Sequence, residues 1–269
     1  MSVQLKPRQR TPLLEPILKW AGGKRWLLPH LAPLWEPFSN MRLVEPFCGG
    51  LAVSLGLRPE KALLNDINPH LINFYRWVKE GLVITIEMAN DQELYYRHRD
   101  RFNELIASGQ SDSKEAAELL YSLNRTCYNG LYRVNSDGLF NVPFGKYKNI
   151  TYVRDFTDYK NVFKGWQLSC ADFETLELHD DDFVYADPPY DVEFTKYAKD
   201  DFKWEDQVRL AEWLAEHPGP VVLSNQATER IVELYGDLHF NVRLLEAPRR
   251  IACNGNRTPA MEVLATRNM

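Results

Sequence analysis

The chain alternates short apolar runs with longer amphipathic stretches, and this spacing predicts strands covered by helices. Arg42-Leu43-Val44-Glu45 reads as a first strand, running into the glycine-bearing turn Pro46-Phe47-Cys48-Gly49-Gly50. Ala62-Leu63-Leu64-Asn65-Asp66 reads as a second. A helix should follow, with Asn68 as its cap and Pro69 at the first helical position, where a missing N–H costs nothing. Leu71, Phe74, Tyr75 and Val78 recur at helical spacing, and Gly81 closes the segment. Alternating strands and helices predict a parallel sheet covered on both faces.

The middle third changes character. Residues 87–127 read as two helices with a break near Gly109 to Ser113, the second carrying Ala116, Leu119, Leu120 and Leu123 on one face. Two apolar runs, Tyr132-Arg133-Val134 and Leu139-Phe140-Asn141-Val142, then flank Asn135-Ser136-Asp137-Gly138. Asp-Gly between apolar runs predicts a hairpin, because both residues tolerate positive φ. The block predicts an inserted unit of helices plus one hairpin. The alternation resumes after about residue 165. Gln167–Cys170, Phe183–Ala186 and Val221–Ser224 read as strands, and Trp204–Glu216 as an amphipathic helix. His239–Glu246 and Met261–Thr266 read as two final strands, joined by a loop rich in Arg, Asn and Gly. No crossover helix separates that pair, so it should be antiparallel.

Composition narrows the class. With 269 residues, 45% of them hydrophobic, the chain can bury the core of one large domain or of one domain with an insertion. No apolar run approaches the roughly 20 residues that span a bilayer, so no membrane partner is expected. Met1 to Glu15 is polar and lacks the apolar stretch of a signal peptide; its first dozen residues are expected to form a mobile tail. Cys48, Cys127, Cys170 and Cys253 are far apart, as free thiols of a cytosolic protein would be. Neither they nor the six histidines show metal-ligand spacing, and no metal is expected. The net charge of −5 hides an uneven distribution. Arg125, Arg133, Lys146, Lys148 and Arg154 gather in 121–154, and Arg249, Arg250 and Arg257 in 248–258. Acids collect in 172–206, including Asp180-Asp181-Asp182 and Asp200-Asp201. Local basic surface, more than net charge, attracts phosphate.

Asp187-Pro188-Pro189-Tyr190 follows the strand Phe183–Ala186, at the sheet edge where open α/β folds bind ligands. A planar amino group is a poor nucleophile because its lone pair is delocalised into the ring. The Asp187 carboxylate and the Pro188 carbonyl could accept both its hydrogens and localise that pair, while Tyr190 stacks on the base. A methyl donor would have to lie in line, at roughly 3–3.5 Å. A base in duplex would first have to flip out of the stack. The bland alternative is a Pro-Pro turn capped by an acid. Upstream, the turn after the first strand lets backbone approach a ligand, making Glu45, Phe47 and Gly49 candidate cofactor contacts. Asp66, ending the second strand, is placed to bind ribose hydroxyls. The absence of G-x-G-x-x-G disfavours a dinucleotide and favours a cofactor with ribose but no phosphate, such as S-adenosyl-L-methionine. An ordinary two-glycine turn is the alternative. In Lys19-Trp20-Ala21-Gly22-Gly23-Lys24, Lys24 could meet a ligand carboxylate and Trp20 a flat or apolar group; a helix start would explain it equally. Around the hairpin, Arg125, Tyr128, Asn129, Arg133, Asn141, Tyr147 and Lys148 interleave basic, amide and aromatic side chains. Such groups can read base edges and hold phosphates, or simply decorate a solvated loop.

Together these motifs resemble the Dam-type DNA adenine-N6 methyltransferases over roughly residues 17 to 267. The resemblance rests on Leu18–Lys24, Glu45-Pro46-Phe47, Asn65-Asp66-Ile67-Asn68, Asn124-Arg125 with Tyr128–Leu131, Phe140–Gly145, Asp187–Tyr190 and Ser224-Asn225. It implies an α/β fold, a Rossmann-like seven-stranded S-adenosylmethionine-dependent methyltransferase sheet with an inserted helical and β-hairpin DNA-recognition domain. The implied division is a tail at 1–14, a catalytic domain at 15–82 and 165–269, and a target-recognition domain at 83–164. For the cofactor it implies Trp20, Lys24, Asp66 and Asp187, with Phe47 lining the pocket and Asp172 beside the adenine. For DNA it implies Lys19 and Tyr147 near the first base pair, Leu131 and Pro143 near a thymine methyl, and Arg133 on the outer guanine, hence the site GATC. One departure stands out: the family's F-x-G-x-G reads Phe47-Cys48-Gly49-Gly50-Leu51 here, and Gly50 is expected to supply the lost freedom one residue earlier. The implied partner is double-stranded DNA, with a cognate restriction endonuclease left open. The protein is expected to be a monomer in the cytoplasm, associated with the nucleoid. The rival readings are a cytosine-N4 methyltransferase, whose tetrapeptide more often begins with Ser or Thr, a protein glutamine methyltransferase, more often with Asn, and a catalytically silent DNA-binding protein.

Overall fold

The structure, a computed structural model, describes residues 14–191, 202–248 and 260–269. Residues 1–13 of the expected tail, Asp200-Asp201, the cluster Arg249, Arg250 and Arg257, and Cys253 lie outside the described residues. In chain order the elements are α1 (Leu28–Trp35), β1 (Leu43–Glu45), α2 (Ala52–Leu57), β2 (Ala62–Asn65), α3 (Pro69–Lys79), α4 (Gln92–Ala107), α5 (Lys114–Thr126), α6 (Thr157–Phe163), β3 (Trp166–Ser169), β4 (Phe183–Ala186), α7 (Trp204–Glu216), β5 (Val221–Gln226), α8 (Glu229–Asp237), β6 (Asn241–Ala247) and β7 (Ala260–Arg267). Among the described residues no helix is long and apolar enough to cross a membrane.

The strands form one seven-stranded sheet in the order β3-β2-β1-β4-β5-β7-β6. The first five neighbours run parallel. β7 is antiparallel to both β5 and β6, as the missing crossover predicted. The parallel strands are apolar almost without interruption because both faces are covered. All four residues of β4 are buried, and so are all three of β1. The outermost strand β6 is mostly exposed or half-buried. The strand order reverses at β1 and β4. Their carboxyl ends, Glu45-Pro46 and Ala186-Asp187, therefore diverge around a crevice at the switch point.

Local signals place the helices. The Asn68 side chain accepts from the amides of His70 and Leu71, capping α3. Asp91 caps α4 and Ser113 caps α5 in the same way. The helices of 83–164 share a core with α3: Phe74 stacks on Tyr121 at 5.8 Å and meets Phe156 edge-on at 6.0 Å. The hairpin is smaller than the apolar runs suggest, with a single antiparallel bridge between Val134 and Phe140. Its turn is held by the Asn135 side chain, which accepts from the amides of Asp137 and Leu139. Only Gly138, at φ +77°, takes the left-handed conformation expected of both Asp137 and Gly138.

β1 and β4 are also tied at their amino ends. Asp182 is 1% exposed, and the Arg42 guanidinium forks onto its two oxygens at 2.8 and 2.5 Å. Arg42→Leu would strand that carboxylate in the interior. We expect a loss of about 3–5 kcal/mol of stability, read from urea unfolding; a change below about 1 kcal/mol would mean that the pair is dispensable.

Candidate active site

A cavity of about 620 Å³ opens at the switch point, within the size range of small-molecule sites. Trp20, Lys24, Glu45, Phe47 and Gly49 line it from the first part of the chain. Asp66, Asp172, Asp187, Pro188 and Tyr190 line it from the ends of β2, β3 and β4. Every residue singled out in the sequence as a cofactor or catalytic candidate thus faces one space.

At its floor, Asp187 is gripped from two sides. Lys24 Nζ lies 3.1 Å from Oδ1, and the Ser224 hydroxyl donates to the same oxygen at 2.8 Å. Tyr185 and Ser224 join hydroxyls at 2.9 Å; since Ser224 donates to Asp187, Tyr185 is the donor here. Lys24 is itself buried, and its ammonium also meets the Gly22 carbonyl at 3.1 Å. Lys24 thus holds Asp187 while still lining the cavity. Burial pushes the Asp187 carboxyl up to about 6, while the Lys24 charge and the Ser224 bond hold it down. At neutral pH it is mostly ionised. Glu45 is different: burial pushes it up to about 8, so it is mostly protonated there. Its Oε1 has no hydrogen-bond partner among the described residues.

Asp66 accepts from the amides of Gly49 at 3.1 Å and Asn68 at 2.9 Å, which fixes the carboxylate at the lip of β2. Asn65, ending β2, ties two loops together: it donates to the Pro46 and Ala171 carbonyls and accepts from the Ala171 amide. The glycine turn corrects one expectation. Left-handed φ angles occur at Gly49 (+44°) and at Leu51 itself (+58°), but not at Gly50. Gly50 is needed for space instead, because a Cβ there would lie 2.9 Å from Trp20 Cβ. Leu51 takes a left-handed conformation that glycine would adopt without cost, and bears the strain.

The far wall is aromatic. Phe47 packs on Phe173 at 5.6 Å and on Phe202 at 5.4 Å. Asp172 receives two bonds from Arg209, at 2.9 and 3.0 Å, and Arg209 also lies 4.4 Å above the Phe173 ring. Sequence reasoning missed Arg209, Phe173 and Phe202. It also missed Glu262, which accepts from the Tyr190 hydroxyl at 2.6 Å. Ser224 stood in a quoted motif, but its partner was not legible. The tetrapeptide is braced from behind by Gln207, which donates to the Pro189 carbonyl and accepts from Asn225.

The DNA candidates form a second constellation. Lys19 exchanges backbone bonds with the buried Asn124 side chain, which also donates to the Gly130 carbonyl. Its ammonium sits 3.8 Å over the Tyr147 ring. Tyr128 is 52% and Leu131 38% exposed, and Asn129, Pro143 and Lys148 are exposed beside them. Arg133 is half-buried and folds onto Asn141, donating to Oδ1 at 2.7 Å and to the backbone oxygen at 3.1 Å. Arg125 is engaged with the Thr151 carbonyl. Trp20 links the two constellations: it packs against Gly49 and Gly50, and its ring stacks on Tyr132 at 6.0 Å.

Residues 20–251 match the family described as D12 class N6 adenine-specific DNA methyltransferase. Among curated relatives, a type II methyltransferase of Lactococcus lactis subsp. cremoris is 38% identical over 275 residues, covering 94% of this chain and 95% of the relative. A type II methyltransferase of Methanocaldococcus jannaschii is 35% identical, covering 91% and 95%. A DNA adenine methylase of Vibrio cholerae is 36% identical, covering 92% and 94%.

The strained turn yields a test. A left-handed leucine costs about 1–2 kcal/mol relative to glycine. Yet Leu51 is fully buried, and deleting a buried leucine side chain costs about 3–5 kcal/mol. Packing outweighs strain, so Leu51→Gly should be less stable by roughly 1–4 kcal/mol, read from the thermal unfolding midpoint. A higher midpoint would show that strain dominates.

Proposed function

This chain belongs to the D12 class of N6 adenine-specific DNA methyltransferases, and on that footing we propose that it moves the methyl group of S-adenosyl-L-methionine to N6 of an adenine flipped out of double-stranded DNA, within GATC. The observation that carries the reading is Asp187, held by Lys24 and Ser224 at the edge of a cavity large enough for a nucleoside cofactor. Asp187 has a buried partner in Lys24, and the cavity lies in front of it.

The residues present fit that cofactor. Asp66, its carboxylate fixed by two amides, would take ribose hydroxyls, and the packed rings of Phe47 and Phe173 would offer an aromatic wall to an adenine. Asp172, tied to Arg209, would lie beside the same ring. Trp20 and the Gly49 turn would close over the methionine end, and Glu45, largely neutral, has an oxygen to spare for it. When bound, the cofactor supplies an electrophilic methyl group on a positively charged sulfur.

On the base side, Asp187 and the Pro188 carbonyl accept the two amino hydrogens, and the nitrogen lone pair localises toward the donor. Both acceptors stand in place before the base arrives, so little reorganisation is left for the reaction itself. Tyr190 stacks on the extruded ring. Target reading belongs to residues 83–164 with Lys19: Arg133 toward a guanine edge, Leu131 and Pro143 toward a thymine methyl, and Tyr128, Asn129, Asn141, Tyr147 and Lys148 along the strand. The bonds from Arg133 to Asn141 support this by pre-ordering the guanidinium. Arg125, engaged with Thr151, would act by shaping this surface.

Incubating the protein with plasmid and labelled cofactor, then digesting to nucleosides, should yield labelled N6-methyladenine flanked as in GATC; label in cytosine, or none, would refute the reading. Asp187→Ala should abolish transfer while duplex binding persists. Arg133→Ala should cost about 1–3 kcal/mol of discrimination at one base pair, and unchanged discrimination against single mismatches would remove it from the reading set. The single-turnover rate should fall as pH drops through about 6, where Asp187 takes up its proton. Lys24→Met should move that limb to higher pH, since it removes the charge that favours the carboxylate; an unmoved limb would assign the titration elsewhere.

A further inference from the structure

Two acids share one ammonium at the cavity floor. Besides its contact with Asp187, Lys24 Nζ lies 3.9 Å from Glu262 Oε2. That same oxygen accepts the Tyr190 hydroxyl at 2.6 Å, and Lys24 sits 4.5 Å above the Tyr190 ring. Glu262 comes from β7, far along the chain, and its place is fixed by pairing opposite Gln226 of β5 on one side and Leu245 of β6 on the other. It is buried on a strand whose next three residues are apolar and buried. A carboxylate there is costly unless it is paired.

We propose that Glu262 is a positioning residue for methyl transfer: it anchors the Tyr190 ring through its hydroxyl and divides the Lys24 ammonium with Asp187, locking the stacking ring and the accepting carboxylate in one geometry. This rests on the role given above to Asp187 and Tyr190. A tyrosine held only by packing can swing about its side-chain torsions. One whose hydroxyl is bonded to a rigid strand presents a fixed face to the flipped base. Burial pushes the Tyr190 phenol well up, so it remains the donor at any working pH. The ionisable groups facing this pair are Lys24 before α1, Glu45 ending β1, Tyr185 on β4, and Asp187 and Tyr190 after it. Within that set the negative charge of Glu262 works against ionisation of Asp187.

The test uses the full-length protein and a GATC duplex in single-turnover methylation, with Glu262→Gln, Glu262→Leu, Tyr190→Phe and the Tyr190→Phe/Glu262→Leu double variant. Tyr190→Phe and Glu262→Leu should each slow transfer about tenfold, and the double variant should be no slower than the worse single, because both remove one shared bond. Glu262→Gln keeps an acceptor for the hydroxyl but drops the charge. It should retain the rate at high pH within about threefold and move the acid limb to lower pH, as Lys24 then serves Asp187 alone. Multiplicative losses in the double variant, or an acid limb unmoved in Glu262→Gln, would overturn the assignment and leave Glu262 a packing residue. Should Glu262→Leu fail to fold, Glu262→Gln and Tyr190→Phe still decide it. A wild type that modifies no adenine would instead refute the functional reading itself, so the two failures are distinguishable.

Discussion

The contact between the buried Lys24 and the half-buried Asp187 is the interaction on which the rest of the site depends. An isolated carboxylate at this depth would hold its proton and could accept nothing from a substrate amino group. One ammonium and one hydroxyl are enough to keep it ionised near neutral pH, yet they occupy only part of its accepting capacity. The pair does little for stability by itself, since desolvation offsets most of the attraction. Its value is preorganisation: the charge is in place, and the lysine that holds it comes from a turn at the other end of the chain.

That turn also explains why the N-terminal motif is so dense. Lys19 is bonded through its backbone to Asn124, Trp20 fills the gap between the glycine turn and Tyr132, and Lys24 reaches Asp187. Six residues thus connect three regions that meet only in the folded state. The crowding leaves no room for a side chain at Gly50, and it accompanies a left-handed Leu51, whose burial compensates its backbone strain.

Much of this was legible from the chain, for identifiable reasons. Buried parallel strands are nearly continuous in apolar residues, so β1, β2, β4 and β5 stood out, and Asn68 with Pro69 announced α3. The short helices α6 and α8 passed unnoticed, because seven and nine residues carry too few turns for a clear period. The cofactor candidates at Glu45, Phe47, Gly49, Asp66, Asp172 and Asp187 converge because they end or follow strands at the same sheet edge, and the N-terminal turn brings Trp20 and Lys24 to it. What escaped was long-range. Arg209 looks like any charge on the polar face of α7, and only the fold shows it bonded to Asp172. Glu262 is one acid in a strand, its meaning set by register with β5. Nothing local announces that Lys24, a candidate ligand contact, also holds Asp187.

The most direct measurement compares binding of two duplexes, one with adenine at the target position and one with purine, which lacks the amino group, to wild type and to Asp187→Ala in the presence of a non-reactive cofactor analogue. Taking the ratio of ratios cancels the easier flipping of the purine base. If a carboxylate grips the amino group, the preference for adenine should be about tenfold or more greater in wild type than in the variant. Equal preferences in the two proteins would contradict the account at its centre.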